Sequence, residues 1–199
     1  MLKLTTFKGG YDSNFSYILS DSESKEAAII DTAIKPEILL KFVEENGLIL
    51  QFAVVMHSHF DHRVGVDYYK KNNILLCGSE HLTVDIDKRL KEQDELKVGK
   101  YIVTVISAPG HTPDCILLYV AGKLFTTDVL FIDGCGRCDI SGANVEQMQD
   151  SLEKIKQLPE ETVIYPGHDY GNVPFATLGE QKKTNRFLQV KSKKETKIK

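Results

Sequence analysis

Residues 57–62 read His-Ser-His-Phe-Asp-His, three histidines and one aspartate in six positions. They directly follow ILQFAVVM, a nearly continuous apolar run that predicts a strand buried on both faces. At the end of an extended strand, residues i and i+2 face the same side, so His57 and His59 can grip one ion. A turn into helix immediately afterwards swings Asp61 and His62 toward a second point nearby. Imidazole and carboxylate are ligands for zinc, iron or manganese, and two neighbouring ions would use all four groups. A polar block this dense has little other structural use directly after a buried strand.

The rest of the chain supplies matching pieces. Of the six histidines, three lie elsewhere, at His81, His111 and His168. His111 follows the strand-like YIVTVIS in APGHT, and His168 follows TVIY in PGHDY. KLFTTD delivers Asp128 to a strand end in the same way. Four strand ends that each present a ligand-type side chain are what one site at the edge of a sheet requires. His81, in GSEHLTVD, lies outside this pattern and reads as a surface residue.

The elements that must position these groups are legible in outline. NFSYILS and EAAIID read as strands joined by the polar turn DSESK. Residues 35–46 place Ile38, Leu39, Phe42 and Val43 at helical spacing, with Gly47 as a stop. Further strands are expected at ILLCGS, YIVTVIS, CILLYVAG, KLFTT and TVIYP. VEQMQDSLEKIKQL sets Val145, Met148, Leu152, Ile155 and Leu158 on one helical stripe, with Asn144 and Gln147 as a capping box. A short polar helix is expected after Pro174. Strands outnumber helices, which predicts an α+β protein with packed sheets and outer helices.

The 199 residues suit one domain, and a formal charge of −3 gives no reason to expect nucleic acid as a partner. No run has signal-peptide or membrane-spanning length, and four cysteines are too few for a secreted disulfide framework, so a cytoplasmic protein is expected. Residues 189–199, which include KSKKETKIK, are expected to be a basic, solvated tail to a single domain over 1–188.

Taken in order, HSHFDH, APGHT, FTTD and PGHDYG resemble the metallo-β-lactamase-fold superfamily, over residues 14–188. The resemblance implies a four-layer αββα sandwich with the site at one edge of its two sheets. It implies that His57, His59 and His111 hold one metal, that Asp61, His62 and His168 hold a second, and that Asp128 bridges them. The expected cofactor is therefore two divalent ions, zinc first, with iron or mixed Fe/Zn/Mn as the other choices. Two such ions lower the pKa of a bound water toward neutrality, giving a metal-bound hydroxide that attacks a carbonyl. Asp61 and Asp128 are the catalytic carboxylates on this reading, Asp61 orienting the hydroxide or taking its proton.

The branch is narrowed by further residues. Position 59 is His where flavodiiron proteins carry Glu, and the acidic balance and length argue against the nuclease branches. FTTDVLFIDGCGRCD is similar to the FTGD-x-LF-x-x-GCGR segment of glyoxalase II and persulfide dioxygenases, two enzymes of glutathione derivatives. The similarity implies that Arg137 and Tyr170 contact a small anionic thiol substrate, with no nucleic acid or membrane partner and a monomer or homodimer as the assembly. The 31 residues after His168 are expected to be too few for the C-terminal region of full-length glyoxalase II, whereas TLGEQKKTNRFL resembles short bacterial hydrolases called glyoxalase II-like. The expected function is metal-dependent hydrolysis of a thioester such as a hydroxyacylglutathione. The alternatives are a persulfide dioxygenase using one iron on His57, His111 and Asp128, and a metal-binding protein with a changed substrate class.

Several positions depart from the pattern. Thr127 replaces the glycine of FTGD, Asp114 replaces the last glycine of GHTPG, and Met56 stands where a threonine is usual. Thr127 and Asp114 are both expected to reshape the pocket and to disfavour an anion there. Cys135 and Cys138 form a Cys-x-x-Cys pair within the expected substrate loop, with Cys138 at a usual threonine position. Cys77 and Cys115 stand singly.

Overall fold

A computed structural model describes residues 1–190, and the segment KSKKETKIK lies outside the described residues. The first half of the chain forms β1 (Leu2–Gly9), β2 (Asn14–Asp21), β3 (Glu26–Ile30), α1 (Pro36–Glu45), β4 (Ile49–Val55), α2 (Val66–Lys71), β5 (Leu76–Ser79) and β6 (Lys88–Leu90). These strands make one sheet in the order β1-β2-β3-β4-β5-β6, antiparallel through β3 and parallel from there on. The second half forms β7 (Glu95–Val98), β8 (Tyr101–Ser107), β9 (Ile116–Val120), β10 (Lys123–Thr127), a hairpin of β11 (Leu130–Phe131) and β12 (Gly134–Cys135), α3 (Val145–Lys156), β13 (Val163–Pro166), β14 (Ala176–Thr177), α4 (Leu178–Thr184) and α5 (Arg186–Gln189). Its main sheet runs β14-β13-β10-β9-β8-β7.

Strand alternation sorts the apolar residues into three cores. Phe15, Tyr17 and Leu19 of β2, Phe52 and Val54 of β4, Ile116 and Leu118 of β9 and Phe125 of β10 pack between the two sheets. The opposite faces, Ile18 of β2 and Ala53 and Val55 of β4, meet Leu39 and Val43 of α1 and Tyr69 of α2. Leu117 of β9 and Leu124 of β10 meet Met148, Leu152 and Ile155 of α3, with Leu178 and Leu188 behind them. The layers are therefore helix, sheet, sheet, helix, the expected α+β architecture. Because β4 is buried on both faces, its sequence is a continuous apolar run rather than an alternating one.

Local differences from the sequence pattern have simple causes. β1 pairs antiparallel with β2 as the sheet edge, and its partly buried side chains give LKLTTFKG too weak a pattern to be read as a strand. Ile38 and Val145 sit at the expected helical spacing but point to solvent, because the buried stripes of α1 and α3 are carried by Leu39 and Val43 and by Met148, Leu152 and Ile155. Asn144 caps α3 by accepting from the Gln147 amide at 3.0 Å. The polar helix expected after Pro174 is α4, capped reciprocally by Thr177 and Glu180. α5 continues the folded chain through Gln189, past the expected boundary at 188. Among the described residues no helix is long and apolar enough to cross a membrane.

The two sheets are joined by direct bonds at one edge. The Phe15 amide donates to the Gly167 carbonyl at 2.7 Å, the Asp169 amide to Ser13 at 3.0 Å, and the Ile116 amide to Met56 at 3.1 Å. Just inside this edge the buried Tyr17 hydroxyl donates to the Pro166 carbonyl at 2.6 Å. Tyr17→Phe keeps the packing but strands that carbonyl, so it is expected to lower stability by about 1–2 kcal/mol in urea unfolding. An unchanged midpoint would show that the bond does not help hold the sheets together.

Candidate metal centre

The bonded edge is where the ligand-type side chains gather. β4 ends just before His57 and His59, and a single 3-10 turn, Phe60–His62, then carries Asp61 and His62. Loops after β8, β10 and β13 supply His111, Asp128 and His168. The donor atoms of His57, His59, His111 and Asp128 all lie within 4.8 Å of one another, as do those of Asp61, His62 and His168. Asp128 stands between the groups. Its Oδ2 is 3.4 Å from His111 Nε2 and 3.8 Å from His57 Nε2, and its Oδ1 is 3.3 Å from both His62 Nε2 and His168 Nε2. Despite these distances, His57 Nε2 and Asp128 Oδ1 are buried without a hydrogen-bond partner among the described residues. Buried polar atoms rarely go unpaired, and two that converge on a cluster of imidazole nitrogens fit a bound cation.

Each buried imidazole is also held from behind. His62 Nδ1 donates to Asp31 Oδ1 at 2.8 Å, His111 Nδ1 to the Arg137 carbonyl at 2.9 Å and His168 Nδ1 to the Asp12 carbonyl at 2.7 Å. His57 Nδ1 bonds Thr127 Oγ1 at 3.0 Å. A carbonyl or carboxylate can only accept, so those remote nitrogens carry the protons and each Nε2 is turned inward, as in metal-ligating histidines. Burial alone would lower the His62 pKa, but Asp31 and Asp128 raise it to about 9. Burial holds His57 well below the usual imidazole value. Burial works to raise the Asp128 carboxyl, yet the charge of His62 and its other histidine neighbours keep it well below the carboxylate range.

Three supports of the cluster, Asp12, Asn14 and Asp31, are not among the residues singled out from the sequence. Asn14 is fully buried at the start of β2, and its Nδ2 donates to Asp61 Oδ2 at 2.9 Å. Asp31 ends the strand EAAIID, so the strand-end rule that found Asp128 would have found it too. Asp12 acts mainly through its backbone carbonyl, which leaves no signal in side-chain type.

A profile of the metallo-beta-lactamase superfamily matches residues 75–168. The human mitochondrial persulfide dioxygenase is 32% identical over 193 residues, which cover 92% of this chain and 75% of that protein. The hydroxyacylglutathione hydrolase of Chromohalobacter salexigens is also 32% identical, over 85% of this chain and 68% of that protein. Among solved structures, ETHE1 from Myxococcus xanthus superposes with a TM-score of 0.88 at 29% identity, covering 97% of this chain and 87% of that one.

The chain belongs to the metallo-beta-lactamase superfamily.

In this superfamily member the cluster opens into a cavity of about 450 Å³ whose lining includes His59, Asp61, Arg137 and Tyr170. Tyr170 stacks on the His168 ring at 4.7 Å and donates to Asp12 Oδ2 at 2.6 Å. The Arg137 guanidinium is largely exposed and paired with Asp139, Nε to Oδ1 at 2.9 Å, so its charge is already partnered at the cavity rim. Tyr11 and Phe60, both exposed, meet edge-to-face at 4.9 Å and give the mouth an aromatic wall that the sequence pattern did not reveal. Asp114 does not confront an incoming anion: it is buried, accepts from Ser58 Oγ at 3.2 Å and from Thr112 Oγ1 at 2.5 Å, and ties the His57 loop to the His111 loop.

The Gly-Cys-Gly-Arg turn has a steric reason. A Cβ on Gly136 would sit 1.8 Å from the Asp128 carbonyl oxygen and 3.0 Å from His111 Nδ1. Gly136→Ala must therefore displace two members of the cluster, and dialysed protein is expected to retain markedly less zinc than wild type by elemental analysis. Retention at the wild-type level would show that the turn can move without consequence. The flanking thiols are free, and burial, with Cys138 adding, pushes Cys135 up to about 11. A raised thiol holds less thiolate at a given pH, so both cysteines are expected to react with iodoacetamide more slowly than free cysteine at pH 7.5. Faster labelling would show that at least one of the two thiols is activated by its surroundings.

Proposed function

We propose that this protein is a metal-dependent hydrolase that cleaves thioesters of small anionic thiols, a hydroxyacylglutathione among them. In this reading His57, His59 and His111 hold one zinc ion, Asp61, His62 and His168 hold a second, and Asp128 serves both. When bound, the ions supply Lewis acidity and a strong nucleophile derived from water at neutral pH.

The chain's own residues do the rest. Asp61 is anchored through Oδ2 by Asn14, which leaves Oδ1 to take up a proton from the attacking water. Arg137 exchanges Asp139 for a substrate carboxylate at the rim, a pairing suited to its two-pronged geometry. Tyr170 orients the thiol portion from the His168 side. Asp31 and Asp128 favour the protonated form of His62, so an ion at its Nε2 competes with a proton.

One observation carries the proposal: the Asp61, His62 and His168 group is supported as fully as the first. His62 rests on Asp31, His168 on the Asp12 carbonyl and Asp61 on Asn14. A single-iron dioxygenase needs only His57, His111 and Asp128 and gives that second group no ligand role. The second reading, persulfide dioxygenase, is supported by the 32% identity to the human enzyme of that name, a value equal to that for the hydrolase, and by the likeness to ETHE1 from Myxococcus xanthus.

Asp61→Asn separates them. The hydrolase is expected to lose about 10²–10⁴-fold in turnover of a glutathione thioester, since its proton acceptor is gone. Oxygen uptake with glutathione persulfide would survive the same change if one iron on His57, His111 and Asp128 does the work. Elemental analysis of protein purified without added metal should find near two zinc ions per chain. About one iron, together with persulfide-dependent oxygen uptake, would overturn the hydrolase reading.

A further inference from the structure

Thr127 is the departure from the superfamily pattern that changes the backbone requirement. It has φ +40°, in the left-handed region where a β-branched residue is strained and where glycine fits readily. A residue held against such a preference is retained by what its side chain does. Here the side chain is buried, and its hydroxyl has two partners. Oγ1 donates to Asp31 Oδ2 at 2.9 Å and faces His57 Nδ1 at 3.0 Å. The other oxygen of Asp31 takes the Nδ1 proton of His62 at 2.8 Å.

Proton arithmetic gives this line a direction. A threonine hydroxyl has one proton, and the Asp31 carboxylate oxygen it meets accepts it. The hydroxyl oxygen is then left as an acceptor, so His57 Nδ1 must donate. That places the His57 proton on Nδ1 and turns a lone pair on Nε2, the buried atom without a partner, into the cluster. Asp31 takes the Nδ1 proton of His62 directly, which leaves Nε2 as the nitrogen that faces the cluster. His57 belongs to the first donor group and His62 to the second.

We propose that Thr127 is a positioning residue that fixes the His57 tautomer and couples the two donor groups through Asp31. A glycine at 127 relaxes the backbone but has no hydroxyl to carry this link. The inference rests on the reading that the cluster binds metal, and does not depend on which substrate is used.

Three substitutions test it, with zinc alone as the probe. Thr127→Val keeps the shape and the backbone demand but removes the hydroxyl, Thr127→Ser keeps the hydroxyl, and Thr127→Gly restores the pattern residue. Zinc affinity, measured by competition with a chromophoric chelator, is expected to fall about 10–100-fold in the Val and Gly variants and to stay within about threefold in the Ser variant. In parallel, ¹⁵N spectra of the imidazoles in metal-free protein should show His57 as a single Nδ1-protonated tautomer in wild type and Ser, and a mixture in Val. Wild-type zinc affinity and an unchanged tautomer in the Val variant would overturn the proposal. If wild-type protein fails to bind zinc at all, the metal reading falls, and the tautomer comparison still decides the role of Thr127.

Discussion

Seven side chains direct donor atoms into two adjoining pockets of space, and nothing in hydrophobic burial favours that arrangement. Imidazole nitrogens 2.9–3.0 Å apart, beside two carboxylates, need a cation or protons between them. The fold must therefore hold them from outside. It does so with an outer set of acceptors: Asp31, Thr127 and the carbonyls of Asp12 and Arg137. The rest of the architecture follows from the need to bring that outer set to the same edge. Parallel pairing of β3 with β4 places Asp31 beside the His57 loop, and parallel pairing of β10 with β13 places Asp128 beside His168. A purely antiparallel order of these strands would send half of the loops to the opposite edge.

Packing behind the Gly-Cys-Gly-Arg turn serves the same end. The buried Asn185 donates to the carbonyls of Phe131 and Gly134, and the Asp133 amide donates to Gln181 Oε1. The C-terminal helices thus brace the hairpin that presents the Arg137 carbonyl to His111. Cys135 ends this braced hairpin and Cys138 follows three residues on, both as free, partly buried thiols on either side of Arg137.

The sequence made the ligands legible because their chemistry has few other uses at the end of a buried strand. Layers were legible for a related reason: residues of β2, β4 and β9 divide cleanly between opposing cores. What stayed hidden was relational. Asn14 and Asp31 are ordinary residue types whose meaning comes from partners 47 and 31 positions away. Asp12 and Arg137 contribute carbonyls, which every residue has. Asp114 looked like an unfavourable charge because sequence gives position along a loop and not direction of the side chain. In the fold it turns away from the cavity toward Ser58.

Asn14 and His168 form a bridge across the two sheets, 154 residues apart in the chain. Closing so long a segment costs entropy that only the docking of both sheets offsets. The first donor group is complete in the sequence by Asp128, whereas the second also needs His168 from beyond the closing bridge. The second donor group is therefore assembled only when both sheets have docked, which makes its geometry a mark of the finished domain.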